Sequence, residues 1–273
     1  MRGTPRAPTT TTGPGVDRLY PLPAEDVDVY AIYRPVDPRA SLVRLNIVAS
    51  LDGHITDGAG VSGSLGGEGD RQVFFALRNM ADAVLAGAGT VRAERYGPMR
   101  VRQSLAARRA ADGLTGPVPV VVVTRSLDLD LEAPLFSQAV VPTMVLTTTD
   151  APRERVADVR AAGGVVVAVG RGDVDLAGAI TVLGLEHGLH HLLVEGGATL
   201  NGRLLAAGLV DELCVTVAPV LVGGMGTRRL VEGLRSRHEL GLAQVLHHDG
   251  ELLMTYRVDP RRAMGDTHAH MQD

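Results

Sequence analysis

Four consecutive valines in Pro119-Val120-Val121-Val122-Val123-Thr124 set the first limit on the fold. A strand with one wet face alternates apolar and polar side chains, whereas a run without alternation belongs to a strand covered on both faces. Similar runs recur at residues 42–50, 83–86, 143–147, 165–169, 191–194 and 213–219. Helix-patterned segments at 70–80, 153–162, 176–187 and 199–207 lie between them, with Gly163-Gly164 and Gly188 placed as helix stops. Strand and helix in alternation predict an α/β fold with a mostly parallel central sheet and helices on both faces. The end of the chain differs. Asp249-Gly250 separates two strand patterns, 243–248 and 252–258, and predicts an antiparallel C-terminal hairpin. The Arg- and Ala-rich stretch 100–117 reads as a helix or a mobile surface loop.

The 273 residues, 45% of them hydrophobic, suffice for one large α/β domain or two small ones. A net charge of −4 offers no basic face for nucleic acid. Cys214, the single cysteine, sits in the apolar run Leu213-Cys214-Val215-Thr216-Val217, which excludes an internal disulfide and a multi-cysteine zinc site and points to a cytoplasmic protein. No stretch reaches the ~18 apolar residues of a membrane helix. Residues 1–16, rich in Pro and Thr, read as a disordered tail, and 260–273 as a polar one whose His268 and His270 are solvated rather than metal ligands.

Two junctions carry the chemistry. Glu195-Gly196-Gly197-Ala198-Thr199-Leu200 follows the apolar run 191–194 and opens a helix pattern, and Gly87-Ala88-Gly89-Thr90 follows Val84-Leu85-Ala86 in the same way. Glycines between a strand and a helix let backbone N–H groups approach a phosphate, although the same pattern serves ordinary turns. The dinucleotide fingerprint G-x-G-x-x-G is absent, but two such junctions could grip one dinucleotide.

The chain resembles the reductase domain of the riboflavin-biosynthesis enzymes. The likeness rests on Asn46 to Gly53, Leu77-Arg78, Ala81 to Val91, the Glu195 to Leu200 run, Leu209 to Leu213, Ala218-Pro219 and Gly223-Gly224, and spans residues 42–258. It implies a dihydrofolate-reductase-like fold, NADPH as cofactor, a homodimer, and reduction of the ribosyl group of an aminopyrimidine ribose phosphate to ribityl.

By that resemblance Gly87, Ala88, Gly89, Thr90, Gly196, Gly197, Ala198, Thr199 and Leu200 would hold the cofactor, with Glu94 on the same side. Thr124-Arg125 would meet the adenosine 2′-phosphate, for which a guanidinium fork is suited, and Arg171 is a weaker candidate. Asn46, Ser62, Arg78, Met99, Arg102 and Glu195 would face substrate, while Ser62 and Ser64 lie on a loop able to close over the nicotinamide. Glu195, at the end of a buried strand, needs a ligand or local N–H groups. Asp70 reads as a helix N-cap, as a carboxyl that binds an aminopyrimidine or pterin ring and passes a proton, or as both. Asp52-Gly53 reads as a structural turn.

The sequence departs from the family on the substrate side: Asn46 replaces the Lys of the bifunctional bacterial enzymes, and Glu94 to Met99 replaces an acidic-Asn-Pro pattern. A paralogue reducing dihydrofolate or another pteridine is therefore an alternative, and a non-catalytic nucleotide-binding dimer module a second. The zinc deaminase signature H-x-E…P-C-x-x-C, often fused to this domain, is absent.

Overall fold

The sheet that results has eleven strands, in the order β2-β1-β10-β11-β9-β3-β8-β4-β5-β6-β7. They are β1 (Val16–Tyr20), β2 (Ala24–Val27), β3 (Leu42–Ser50), β4 (Ala83–Gly87), β5 (Val120–Val123), β6 (Met144–Thr147), β7 (Val165–Ala168), β8 (His191–Val194), β9 (Glu212–Ala218), β10 (Leu240–His248) and β11 (Glu251–Val258). The computed structural model describes residues 15–37, 40–114, 116–224 and 228–258. From β9 through β3 to β7 every pairing is parallel, and from β9 outward to β2 every pairing is antiparallel.

Helices cover both faces of the parallel half, and the alternation of strand side chains shows how. Val84, Ala86, Val120 and Val122 pack in one cluster with Val73, Ala76, Leu77 and Met80 of α2 (Glu68–Met80). Their neighbours Ala83, Leu85, Val121 and Val123 pack in the other, with Leu183 of α7 (Leu176–His187) and Leu204 of α8 (Ala198–Ala206). Both faces of each strand are thus buried, which is why the sequence shows no polar alternation. Helix α7 ends at Gly188 in the left-handed conformation (φ 67°), and Asp249 and Gly250 both take positive φ in the β10–β11 turn, as that two-residue hairpin requires. Cys214 is free and buried on β9, its thiol pushed up to about 11 chiefly by burial, and behaves as a small hydrophobe.

The amino-terminal boundary needs correction. Val16, which the sequence places in the tail, is 1% exposed and opens β1, which pairs with β10. After β2, α1 (Val29–Tyr33) packs on α2 and is fastened to α4 (Gln103–Ala111), the helix formed by the 100–117 stretch. Asp28 takes both terminal nitrogens of Arg108, and Tyr30 donates to Asp112 at 2.9 Å. Residues 1–14 and 259–273, with His268 and His270, lie outside the described residues.

Candidate active site

The carboxyl ends of β3, β4 and β8 converge on a cavity of about 520 Å³, the position where open α/β sheets bind ligands. Asn46, Ser62, Asp70, Arg78, Thr90, Glu94, Met99, Glu195, Gly196 and Gly197 all line it, so residues 151 positions apart in sequence share one site.

The two glycine junctions touch. The Gly87 N–H donates to the Gly196 carbonyl at 2.8 Å, and a Cβ on Gly197 would stand 2.8 Å from Thr90 Oγ1. Gly87 and Gly197 are the N-caps of α3 (Ala88–Ala93) and α8, and neither helix start is closed by a capping side chain. Free amides of both helices are therefore presented side by side, which fits a phosphate-bearing ligand. Ala198 and Leu200 are buried, leaving their main chain as the part available to such a ligand.

At the strand end, Glu195 accepts two hydrogen bonds of 2.6 Å from Arg78, through Nε and Nη2, and a third of 2.6 Å from the Tyr96 hydroxyl. The Arg78 guanidinium also stacks on Phe74 at 3.9 Å. Burial pulls the Arg78 pKa down, but the charge and hydrogen bonds of Glu195 outweigh it and raise it overall. Burial, then the Glu195 charge, lifts the Tyr96 hydroxyl well above its ordinary range, so it stays a neutral donor. Sequence reading missed Tyr96; the unusual 94–99 loop was the signal that could have found it.

Asp70 is not the N-cap of α2. Gly67 holds that position and Asp70 is the third helical residue, its carboxyl facing the cavity. Burial, the largest effect, raises its pKa; the Thr216 hydroxyl lowers it, the Glu251 charge raises it and Arg71 lowers it, for a net rise. Gly66 packs so close to this carboxyl that a side chain there would collide with it, which accounts for a glycine at this position. Asn46 is 8% exposed, and its Oδ1 has no hydrogen-bond partner.

Of the other expected site residues, Ser64, Arg102, Thr124, Arg125 and Arg171 stand apart from the cavity, whereas Ser62 and Glu94 meet in its wall. Ser64 donates to Asp57 at 2.7 Å, inside its own loop. Glu94 accepts from the Ser62 N–H at 2.7 Å, joining that loop to α3. Arg102 stacks on Phe75 at 3.5 Å, behind the cavity wall. Thr124 is buried, accepting from the Leu127 N–H, while Arg125 is exposed at the end of β5 and Arg171 is exposed after β7. Asp52 accepts from the Val222 and Gly223 N–H groups at 3.1 and 2.8 Å, and so fastens the loop after β9 to the turn after β3.

The profile of the RibD C-terminal domain matches residues 41–254. The chain belongs to this family. Among its relatives, a protein of Methanothermobacter thermautotrophicus named 2,5-diamino-6-ribosylamino-4(3H)-pyrimidinone 5′-phosphate reductase is 38% identical over 70% of this chain and 83% of its own. One of the same name from Archaeoglobus fulgidus is 32% identical over 70% and 86%. The crystal structure of a pyrimidine reductase-like protein from Corynebacterium diphtheriae superposes with a TM-score of 0.76 at 25% identity, covering 85% of this chain and 99% of the other. The family match begins beyond β1, β2 and α1. No helix among the described residues is long and apolar enough to cross a membrane, and no group of three or more His, Cys, Asp or Glu among them could hold a metal.

Proposed function

We propose that the chain is an NADPH-dependent reductase acting on a diaminopyrimidinone ribosylamine 5′-phosphate, turning its ribosyl group into ribityl. The observation that carries the substrate class is the unpartnered Asn46 Oδ1, a buried acceptor in the cavity wall. An acceptor of this kind calls for an N–H donor from the ligand, and an exocyclic amino group supplies one where a carbonyl would leave it unpaired. The names of the archaeal relatives agree with this reading.

The paired helix starts at Ala88 and Ala198 would hold the cofactor pyrophosphate, and Arg125, exposed after β5, would meet its 2′-phosphate. When bound, the reduced nicotinamide supplies the hydride, and the chain supplies placement and a proton. Arg78, held rigid by Glu195 and Tyr96, orients the substrate. Glu195 acts through Arg78, since three donors already occupy its carboxylate. Asp70, whose carboxyl keeps its proton to higher pH than a free aspartate, holds the proton that the imine nitrogen needs when C1′ accepts hydride. The Ser62 loop, fixed to Glu94, keeps water from this chemistry.

A carboxyl paired with a threonine, as Asp70 is with Thr216, equally suits the 2-aminopyrimidine edge of a pterin, which makes dihydrofolate the second substrate to assay. NADPH oxidation is followed with each compound; turnover of the ribosylamine phosphate supports the proposal, and its absence overturns it. The non-catalytic reading expects no turnover of either, and a melting temperature unmoved by NADPH or NADH would remove cofactor binding altogether. A homodimer is proposed through the antiparallel strands, where Leu240, Leu242 and Leu252 are exposed, with sedimentation as its check.

A further inference from the structure

Glu251 follows the Asp249-Gly250 turn, opens β11 and is 3% exposed. Its partners are main-chain amides of another element. The Gly67 N–H donates to Oε1 at 2.6 Å, and the Asp70 N–H donates to Oε2 at 3.2 Å. These belong to the first turn of α2, whose own N-cap, a glycine, offers no side-chain hydrogen bond. A side chain from more than 180 residues away thus closes the helix. The approach is tight: a Cβ on Gly67 would lie 2.9 Å from Oε2, and one on Gly69 would lie 2.8 Å from Oε2 and 2.7 Å from His248 Cβ.

From this arrangement we infer that Glu251 is a positioning residue of the reductase site, its one carboxylate both anchoring the helical turn that carries Asp70 and setting a negative charge beside the Asp70 carboxyl. The inference rests on the reading of Asp70 as the proton-holding group. The groups facing Asp70 can be named element by element. Thr216 comes from β9, Glu251 from β11 and Arg71 from α2 itself. His248 of β10 packs on Gly69, with its Nδ1 2.8 Å from the Gly15 carbonyl and its Nε2 3.6 Å from Asp249. Burial is the largest influence in raising the Asp70 pKa, and Glu251 is the charge that adds to it, while Thr216 and Arg71 oppose. The hairpin end, remote in sequence from the cavity motifs, thereby adds to burial in keeping a proton on Asp70.

The test follows the Asp70 carboxyl carbon by NMR as a function of pH in the wild-type chain and in Glu251→Gln, which keeps an acceptor oxygen but loses the charge. The Asp70 midpoint should fall in Glu251→Gln and recover in Glu251→Asp. The alkaline limb of kcat/KM should move down with it, giving at least a threefold loss at pH 8 and none on the acid side of the limb. An unchanged midpoint in a folded Glu251→Gln protein overturns the inference. Should that variant fail to fold, the wild type decides alone: two interacting carboxyls show each other's inflection in their titration curves, and a single-site Asp70 curve overturns the inference. The titration is read without substrate. Failure of the wild type to reduce the ribosylamine phosphate would therefore remove the proposed reaction and leave the Glu251–Asp70 coupling to be judged separately.

Discussion

Arg78 and Glu195 stand 117 residues apart in sequence and meet through two hydrogen bonds of 2.6 Å each. The Glu195 side chain is 4% exposed and that of Arg78 is 22% exposed, so removing the arginine strands a carboxylate with little access to water. Arg78→Ala should cost about 3 kcal/mol, the lower end of the range for breaking a buried pair. The double variant Arg78→Leu with Glu195→Leu should recover most of that in urea unfolding, while turnover stays lost. Additive losses would show that the two do not act as a pair.

Asp70→Asn should abolish most turnover and yet raise stability near neutral pH. Because the folded-state pKa of Asp70 lies above the unfolded value, the folded protein binds more protons in the interval between them, and stability falls as pH rises through it. The asparagine variant escapes that loss, so its melting temperature should exceed the wild type at pH 7 to 8, by about 2–4 °C for each kcal/mol removed. The advantage should vanish below about pH 4, where the unfolded carboxyl is protonated as well.

Glu94→Ala removes the carboxylate that accepts the Ser62 N–H at 2.7 Å. The loop 57–66 should then be cut faster by a protease, and the KM for substrate should rise about threefold to tenfold. Equal cleavage rates in both proteins would mean that Glu94 does not hold the loop.

Gly197→Ala places a Cβ 2.8 Å from Thr90 Oγ1. The crowding should cost about 1–3 kcal/mol and weaken cofactor binding. In a Thr90→Ala background, where the hydroxyl is gone, the stability loss should shrink, and an unchanged loss would place the strain elsewhere.

Arg125→Ala tests the cofactor side. Its guanidinium stands exposed at the end of β5, so the substitution should leave melting unchanged while reducing the preference for NADPH over NADH about tenfold or more. A retained preference would remove Arg125 from the 2′-phosphate.

The strands were legible where burial on two faces left no polar residue to confuse the pattern: β3 and β8 match their expected bounds, as does α7. The glycine junctions were legible too, because adjacent small residues leave a local trace. By contrast β1, of five residues, and α1, also of five, carry too little periodicity to stand out, and they are held by partners such as β10 and Arg108 that lie far along the chain. The same limit applies in the cavity. Asp70, Arg78 and Glu195 could each be suspected from their surroundings, but the saturation of Glu195 by Tyr96 and the capping of α2 by Glu251 join residues 99 and more than 180 positions apart. No local pattern records such pairings.

The order of the strands also dictates when the protein can finish folding. Central β3 takes its parallel neighbours, β8 and β9, from the last third of the chain, and β1 pairs with β10 close to the end. A growing chain therefore leaves β3 without its parallel neighbours until β8 and β9 have been made and β1 without its partner until β10 has, and no amino-terminal fragment ending before β8 can build the cavity. Synthesis must reach Glu251 before α2 gains its cap, so the turn that carries Asp70 is fastened late.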